Sequence, residues 1–407
     1  MRAHWLLLLL IYAQAIFLIL YADGFHLSVD EAAIFYAQSG WLPLLASALS
    51  ELFGPSNLAV RLPFIVIHLI NLLLLYLVAR DLARKPIDAW LAVLIYALLP
   101  GVNSAALLIN AAGVVMLLTL LFIWLLPRNR LLALALLLGA SFLHEAFLLL
   151  ALAVVAYGLY RRDWPLAIVA ATGFAITLGL YGFDARGRPE GHFVDVFGLY
   201  GAIFSPLIFL AYIYGLYWFA IRSERSLPLL WFVSATVFIL SILLSLRQSL
   251  PLEDFAPYAV IGTPLLVIAF MNSWRIRLPG FRRVHSWAAG VSIGSLVLLS
   301  ALTFFNKPLY LLTDRPTSHF AYSHHYPAFL LSELDRHGFT ALQIPHKPLA
   351  RQLRFYGIAS GGDVVLDIEP PQEGPYGVLE YTVFNRVVGR FYLYALESER
   401  IVTSSSM

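Results

Sequence analysis

The sequence has no cysteine and few charged residues. Of its 407 residues, 13% are Asp, Glu, Lys or Arg and 60% are hydrophobic. The absence of cysteine excludes disulfide bonds and thiolate metal sites. The shortage of charge excludes an ordinary soluble domain, in which about a quarter of the residues are charged. No nucleic-acid-binding motif and no basic stripe is present, so the composition indicates a polytopic membrane protein without a nucleic-acid partner.

Apolar runs follow one another along most of the chain and predict about eleven transmembrane helices. No good cleavage site follows residues 5–21, so they are interpreted as the first membrane helix and not as a signal peptide. Residues 22–57 are interpreted as a first extramembrane loop with interfacial helices, interrupted by the Gly54-Pro55 break. The other runs lie at 58–79, 87–101, 104–126, 131–143, 145–160, 164–183, 196–221, 227–246, 256–271 and 286–305.

The basic residues predict the side of the membrane on which each loop lies. With the N-terminus inside and the run 131–160 split at His144-Glu145, fourteen Lys and Arg residues fall in inner loops and three in short outer loops. If that pair were one helix, every later loop would lie on the opposite side of the membrane and the basic clusters would be outside. The split is therefore preferred. The inner set is Arg2, Arg80, Arg84, Lys85, Arg128, Arg130, Arg161, Arg162, Arg222, Arg225, Arg275, Arg277, Arg282 and Arg283, and the outer set is Arg186, Arg188 and Arg247.

From Asn306 the sequence becomes mixed in composition, which predicts a small α/β domain outside the membrane. The domain plan is therefore a transmembrane domain over 1–305, including the first loop at 22–57, and a C-terminal domain over 306–407. Its histidines lack a third ligand with zinc-type spacing, so no metal site is predicted there. The expected elements are helices at Pro327–His337 and Leu349–Tyr356 and strands at Ala341–Ile344, Val364–Ile368, Val378–Val383 and Phe391–Glu397.

The first polar interval after the N-terminal helix contains a helix-start motif. Ser28 and Glu31 have the S-x-x-E spacing of a capping box, in which each side chain satisfies a free backbone N–H. The predicted helix carries Asp30 and Glu31 in its first turn, where the helix dipole favours negative charge. A capped surface helix is one interpretation. A functional site is favoured because this acidic pair lies just outside a membrane helix in a chain with little charge.

Several motifs occur in an order that is informative as a set. They are the Asp30-Glu31 pair, the run Asn57–Pro63 that opens the second helix with Arg61-Leu62-Pro63, and Arg247 followed by Pro257-Tyr258 and Pro264. This arrangement resembles the GT-C superfamily of integral-membrane glycosyltransferases, in the branch that includes aminoarabinose transferases acting on lipid A and protein O-mannosyltransferases. The resemblance covers residues 1–305. It implies a GT-C-type fold in a bacterial inner membrane. The bias of the basic residues adds a cytoplasmic N-terminus and a periplasmic or extracellular C-terminal domain.

The resemblance also implies a reaction and roles for individual residues. In that family the donor is a sugar carried on a polyprenyl phosphate, and the first-loop acidic residue is the base or holds the acceptor. Asp30 is thereby the expected base in an inverting transfer, with Glu31 as its neighbour or orienter. The leaving phosphate needs positive charge, for which Arg247 and a hydrogen bond from His144 are the candidates. Arg61 is a further phosphate-binding candidate, or else it anchors a helix end or pairs with Glu51.

Two positions depart from the family pattern. Asn110 stands where many relatives have Asp at the outer start of the fourth helix, and His144-Glu145 stands where Lys-Gly is often found. A neutral Asn cannot act as a base or supply a carboxylate ligand. We therefore assign no metal ligand and no certain cofactor, and dependence on a divalent metal stays open. Glu145, Tyr258 and Asn110 are the candidates for substrate binding.

The expected partners are the membrane, a polyprenyl-phosphate-linked sugar, and a lipid, glycan or protein acceptor. Two other hypotheses stay open. A non-catalytic GT-C-like subunit that binds a lipid or a partner would keep its function after Asp30→Ala. A lipid or solute transporter would have symmetric repeats and charged or broken helices at mid-membrane. No inverted repeat is visible and the ionisable groups gather at one face, which favours the transferase.

Overall fold

A computed structural model describes residues 2–182, 191–222, 226–371 and 376–395. These residues form two compact units. The described residues within 1–19 and 63–304 belong to the first unit, and those within 20–62 and 305–407 belong to the second. The first loop, which the sequence analysis placed with the transmembrane domain, thus belongs to the same unit as the C-terminal residues.

Helices dominate the described chain, and four strands lie near its C-terminal end. The helices are α1 Arg2–Asp23, α2 Val29–Phe35, α3 Trp41–Ser47, α4 Ser50–Phe53, α5 Asn57–Leu82, α6 Pro86–Leu98, α7 Pro100–Leu107, α8 Ala112–Leu125, α9 Arg130–Ala140, α10 Phe147–Arg161, α11 Trp164–Tyr181, α12 Phe193–Phe204, α13 Pro206–Arg222, α14 Leu229–Ser245, α15 Leu252–Val260, α16 Thr263–Ile276, α17 Pro279–Phe304, α18 Tyr322–Arg336 and α19 Lys347–Phe355. The strands are β1 Ala341–Gln343, β2 Ala359–Asp367, β3 Tyr376–Val383 and β4 Arg386–Ala395.

Many of these helices have the length and composition of membrane spans. Within the described residues, five are long and apolar enough to cross a bilayer, or up to seven if each of two bent helix pairs is one span. Four shorter apolar helices, α8, α9, α10 and α14, occupy the positions of other predicted runs. The prediction of a polytopic helical membrane protein with a C-terminal α/β domain is confirmed.

Prolines explain the two bent pairs, which the sequence analysis had not divided in this way. Helices α6 and α7 meet at 64°, and α12 and α13 meet at 102°. Pro100 and Pro206 begin the second helix of each pair, and a proline disfavours helical backbone in the residue before it. Leu99 is accordingly extended, with ψ of 128°, and Ser205 has a positive φ of 76°. The predicted run 104–126 is likewise interrupted, because α7 ends at Leu107 and α8 begins at Ala112.

The first unit buries polar links between helices that are distant in sequence. Arg275 donates two hydrogen bonds to the carboxylate of Asp88, at 2.8 and 2.5 Å, and thereby joins α16 to the start of α6. Asn71 Nδ2 donates to Gly113 O at 2.9 Å and joins α5 to α8. Such hydrogen bonds fix the register of helices that an apolar surface alone would leave free to slide.

The second unit contains a four-stranded sheet in the order β1-β2-β4-β3. Strands β1 and β2 are parallel, whereas β4 is antiparallel to both of its neighbours. The β3–β4 hairpin turns at Phe384 and Asn385, which both have positive φ, as a two-residue hairpin turn requires. The core of this unit is apolar and fully buried, and includes Leu330, Leu334, Leu342, Leu353 and Leu366.

Candidate functional site

The predicted capping box is present at the start of α2. Ser28 Oγ accepts a hydrogen bond from Glu31 N at 3.1 Å, and Glu31 Oε2 accepts one from Ser28 N at 3.0 Å. Both side chains are buried. The backbone N–H groups of Ser28 and Glu31 are therefore both hydrogen-bonded within the first turn, which fixes the backbone conformation at Asp30.

Glu31 also forms a buried ion pair. Arg61, near the start of α5, places its Nη2 3.0 Å from Glu31 Oε2, and the two side chains are 0% and 4% exposed. The partner is thus Glu31 and not Glu51, whose exposed side chain lies 3.5 Å from Ser47 Oγ. Removing one member of a buried pair leaves the other charge uncompensated, so each residue here depends on the other.

The Arg61 guanidinium is held in place by further contacts. It donates to His26 O at 3.1 Å and to Asn57 O at 3.4 Å, and lies over the Phe25 ring at 4.9 Å from its centre. Its Nε forms no hydrogen bond with a described residue. Because the group is fully buried and faces Glu31, it is suited to holding the 25–31 backbone.

A histidine from α18 completes this cluster. His324 Nδ1 lies 2.8 Å from His26 O and 3.5 Å from Glu31 Oε2, and the ring stacks on Phe25 at 4.3 Å. Since a carbonyl oxygen can only accept, Nδ1 carries the proton. Burial lowers the pKa of His324, and the neighbouring Glu31 carboxylate opposes this shift. The ring is consequently neutral near pH 7 and adds no second positive charge.

Two side chains, one in helix α19 and one directly after it, form hydrogen bonds with the backbone of the same loop. Gln352, which is fully buried, donates to Leu27 O at 2.6 Å and to Ser323 O at 2.9 Å. Tyr356 Oη accepts from Leu27 N at 2.7 Å and donates to Asn57 Oδ1 at 2.8 Å. Burial raises the pKa of Tyr356. Residues 329 and 325 positions away in sequence therefore satisfy the N–H and the carbonyl group of Leu27.

Asp30 is not buried and pairs with none of the described residues, in contrast to the adjacent Glu31. Its side chain is exposed, and it forms no ion pair or hydrogen bond with a described residue. Its charge opposes the lowering of the pKa of His324 by burial, and it adds to the rise that burial causes in the pKa of Tyr326. The first turn of α2 thus contains one carboxylate that is held and one that is available to solvent.

A second polar cluster lies in the first unit. His144 and Glu145 occupy the turn between α9 and α10, and Asp254 lies in the first turn of α15. The potential ligand atoms of the three side chains lie within 4.8 Å of one another. His144 Nδ1 is 3.7 Å from Asp254 Oδ1. The sequence analysis singled out His144 and Glu145 and did not predict that Asp254 reaches them.

The remaining predicted residues of the first unit have different surroundings. Tyr258 is fully buried and donates to Ala146 O at 2.8 Å, so it fixes the turn that carries His144 and Glu145. Asn110 bonds within its own loop, donating to Leu108 O at 3.1 Å and accepting from Ala112 N at 2.9 Å. Arg247 is exposed in the turn after α14 and forms no ion pair with a described residue. Arg186 and Arg188 lie outside the described residues.

The sequence analysis missed Gln352 and Tyr356, and it considered the C-terminal histidines, among them His324, only as metal ligands. One signal was readable, because Gln352 follows Leu349 by three positions and precedes Leu353, on the apolar face of an amphipathic helix. A polar side chain on such a face must bond to something. Its partner, Leu27 O, could not be read from local sequence.

Comparison with known proteins gives one consistent result. The crystal structure of ArnT from Cupriavidus metallidurans bound to undecaprenyl phosphate matches with a TM-score of 0.56 and 15% identity, over 97% of this chain and 98% of that chain. The apo ArnT structure from the same organism matches over the same shares with a TM-score of 0.52 and 14% identity. No protein-family model and no curated protein sequence matches this chain. The chain therefore has the fold of the aminoarabinose transferase ArnT, and the GT-C-type fold predicted from the resemblance is confirmed.

Proposed function

We propose that this protein transfers a sugar from a polyprenyl-phosphate donor to the hydroxyl group of a lipid, glycan or protein acceptor, with Asp30 as the base. The observation that carries the proposal is the contrast within one helical turn. Asp30 is exposed beside Glu31, which is buried and paired. An available carboxylate on a fixed backbone is what proton abstraction requires. The fold it shares with a structure that binds undecaprenyl phosphate supports the choice of donor.

The reaction needs one base and one source of positive charge. As the acceptor oxygen attacks the anomeric carbon, its proton passes to Asp30 and the bond from that carbon to the phosphate oxygen breaks. The configuration at the sugar inverts. The leaving polyprenyl phosphate gains a negative charge, so a cation and hydrogen-bond donors lower the barrier, whereas an acid is not required. Asp30 then returns its proton to water.

Arg247 and His144 are the proposed phosphate-binding residues, since guanidinium offers a bidentate donor pair and imidazole a further N–H. Arg61 was predicted to share this role, and its buried pairing with Glu31 supports positioning of the loop instead. Glu145, Tyr258 and Asn110 stay proposed substrate-binding residues. Of these, Tyr258 is fully buried, so its contribution would be to hold the 144–146 turn.

The asymmetry of basic residues supports an orientation as well. The proposed site is on the periplasmic or extracellular face of a bacterial inner membrane, with the N-terminus in the cytoplasm. A lipid-linked donor would reach the protein from the bilayer, and the acceptor would approach from water or from the same leaflet.

The test is transfer of labelled sugar from a panel of short-chain polyprenyl-phosphate sugars to membrane acceptors. The wild type is compared with Asp30→Asn at equal membrane insertion. This substitution keeps the side-chain shape and removes the base, so transfer should fall by at least about a hundredfold.

Asp23→Asn is the matched control, because Asp23 is an exposed carboxylate at the end of α1, seven residues before Asp30. It should transfer at close to the wild-type rate. Equal loss in both variants would indicate a general charge effect and contradict the proposed base. Donor binding without any transfer by the wild type would favour the non-catalytic subunit.

A further inference from the structure

The cluster of His144, Glu145 and Asp254 combines side chains from two elements that are far apart in sequence. Glu145 is exposed, whereas His144 and Asp254 are half-buried. Their ligand atoms lie within 4.8 Å of one another. Atoms that share one cation lie about 3 to 4.5 Å apart, given metal–ligand bonds of 2.0 to 2.3 Å. Rotation of the exposed Glu145 side chain alone could bring the set close to that spacing.

The donor set is chemically mixed, which distinguishes it from an ordinary patch of surface carboxylates. One imidazole and two carboxylates suit a borderline divalent ion such as Mn²⁺ or Zn²⁺. Asp254 alone would be explained by its place in the first turn of α15, where acidic residues are favoured. That explanation does not account for the convergence of Glu145 and His144 from another element.

The backbone that carries two of the ligands is fixed by its surroundings. Tyr258 donates to Ala146 O at 2.8 Å, and Ala146 and Tyr258 are almost fully buried. Tyr258 is one helical turn beyond Asp254 in α15. This helix therefore carries Asp254 itself and, through Tyr258, also holds the turn that carries His144 and Glu145. Ligands held in this way bind a cation with little loss of conformational freedom.

The charges around His144 favour a cation rather than an anion. Its Nδ1 accepts from Ala146 N at 3.2 Å while lying 3.7 Å from Asp254 Oδ1, so the ring lone pair is near a carboxylate. Asp254 and Glu145 form no ion pair with a Lys or Arg among the described residues. Without a metal ion, this cluster would repel the phosphate that His144 was predicted to bind.

We propose that His144, Glu145 and Asp254 bind one divalent metal ion of the Mn²⁺ or Zn²⁺ class. The ion would keep open positions for oxygen ligands, because the protein supplies only three side chains. A second step rests on the proposed function: the bound ion, rather than imidazole alone, would supply positive charge for the leaving phosphate. Binding itself does not depend on that step.

The test measures metal binding by the full chain without any sugar donor. The protein is purified in lipid nanodiscs, stripped with EDTA and titrated with MnCl₂, and the free Mn²⁺ signal is followed by electron paramagnetic resonance. The wild type should bind about one ion per chain, and ZnCl₂ should displace it. Asp254→Asn and Glu145→Gln should each weaken binding at least about tenfold.

The matched control is Glu253→Gln, which removes the exposed carboxylate next to Asp254 but none of the three ligands. It should change affinity by no more than about twofold, since its charge is screened by solvent. Absence of saturable binding, or equal weakening in Glu253→Gln and Asp254→Asn, would overturn the site. If Asp254→Asn does not fold, Glu145→Gln decides the question, because that side chain is exposed. Failure of sugar transfer with binding intact would count against the proposed function and not against the metal site.

Discussion

The two acidic clusters of this chain hold their carboxylates in different ways. In the second unit, Glu31 lies 3.0 Å from the buried guanidinium of Arg61 and accepts the Ser28 N–H as well. In the first unit, Asp254 and Glu145 converge on His144, and no Lys or Arg pairs with them among the described residues. One cluster therefore has a cation supplied by the protein, and the other is the proposed binding site for a cation from solution.

This difference separates structural from chemical carboxylates. A buried carboxylate that is already neutralised by arginine has no capacity left to accept a substrate proton. Asp30, which stands outside the pairing, keeps that capacity. The comparison thus supports the proposal that Glu31 positions the loop and Asp30 is the base, although the two are adjacent in sequence.

The largest effect should follow from removing the protein's own cation. Arg61→Met would remove the guanidinium that faces the buried Glu31 carboxylate, which would then lack an arginine partner, as Asp254 and Glu145 do among the described residues. We expect a loss of about 3–5 kcal/mol in the free energy of unfolding. Thermal unfolding in nanodiscs, together with hydrogen exchange over residues 24–36, would measure it.

The control for this variant is Arg128→Met, which breaks an exposed pair with Asp81 whose side chains are 39% and 47% exposed. That change should cost less than about 1 kcal/mol. Adding Glu31→Gln to Arg61→Met should recover part of the loss, since the buried charge is then removed. Equal costs for Arg61→Met and Arg128→Met would mean that the buried pair does not hold the loop.

A smaller effect should follow when the support from α19 is removed. Gln352→Leu leaves the Leu27 carbonyl without its donor, and we expect a loss of about 2–3 kcal/mol. Hydrogen exchange should increase at residues 25–31. Gln343→Leu is the matched control, because Gln343 is exposed at the end of β1, and it should change stability by less than about 0.5 kcal/mol. Unchanged exchange in Gln352→Leu would show that α19 does not fix this loop.

The smallest effect concerns acid stability of the second unit. Burial lowers the pKa of His325 from 6.5 to about 4, helped by the charge of Lys307 and by the charges that His319 and His324 acquire when they are protonated. Because the folded pKa lies below the unfolded value, the unfolded chain takes up the proton first as the pH falls. Stability is therefore lost between about pH 6.5 and 4, by about 1–2 kcal/mol after solvent screening.

The measurement is hydrogen-exchange protection of α18 between pH 7 and 4, corrected for intrinsic rates. His325→Gln keeps a polar group near Tyr310, whose Oη lies 3.1 Å from His325 Nδ1, but it does not titrate. This variant should lose less protection on acidification than the wild type. The same pH dependence in both proteins would assign the acid sensitivity to other groups.

Local sequence was sufficient for the features that depend on neighbouring residues. The capping box at Ser28 and Glu31 was predicted from spacing alone, because its partners are three residues apart. The C-terminal strands were predicted from β-branched and aromatic runs, although β2 and β4 begin five residues earlier than expected. Gly361 and Gly362, both with positive φ, extend β2 where glycine-rich sequence argued against a strand.

Contacts between distant segments could not be predicted in the same way. Arg61 meets Glu31 across 30 residues, and Gln352 meets Leu27 across 325. Nothing in either local pattern selects that partner, because tertiary packing decides it. The same holds for Asp254 and Glu145, whose convergence depends on how α15 packs beside the α9–α10 turn. The exposure of Asp30, on which its proposed role depends, was also not readable from sequence.

The most direct measurement compares Asp30→Asn with Glu31→Gln in the same preparation, recording both single-turnover sugar transfer and the melting temperature. Asp30→Asn should lose transfer by at least about a hundredfold with its melting temperature unchanged, because it removes only the base. Glu31→Gln should lower the melting temperature, because Arg61 is left without its partner. Transfer at the wild-type rate by Asp30→Asn, or abolished transfer by a Glu31→Gln protein of unchanged stability, would contradict this assignment of roles.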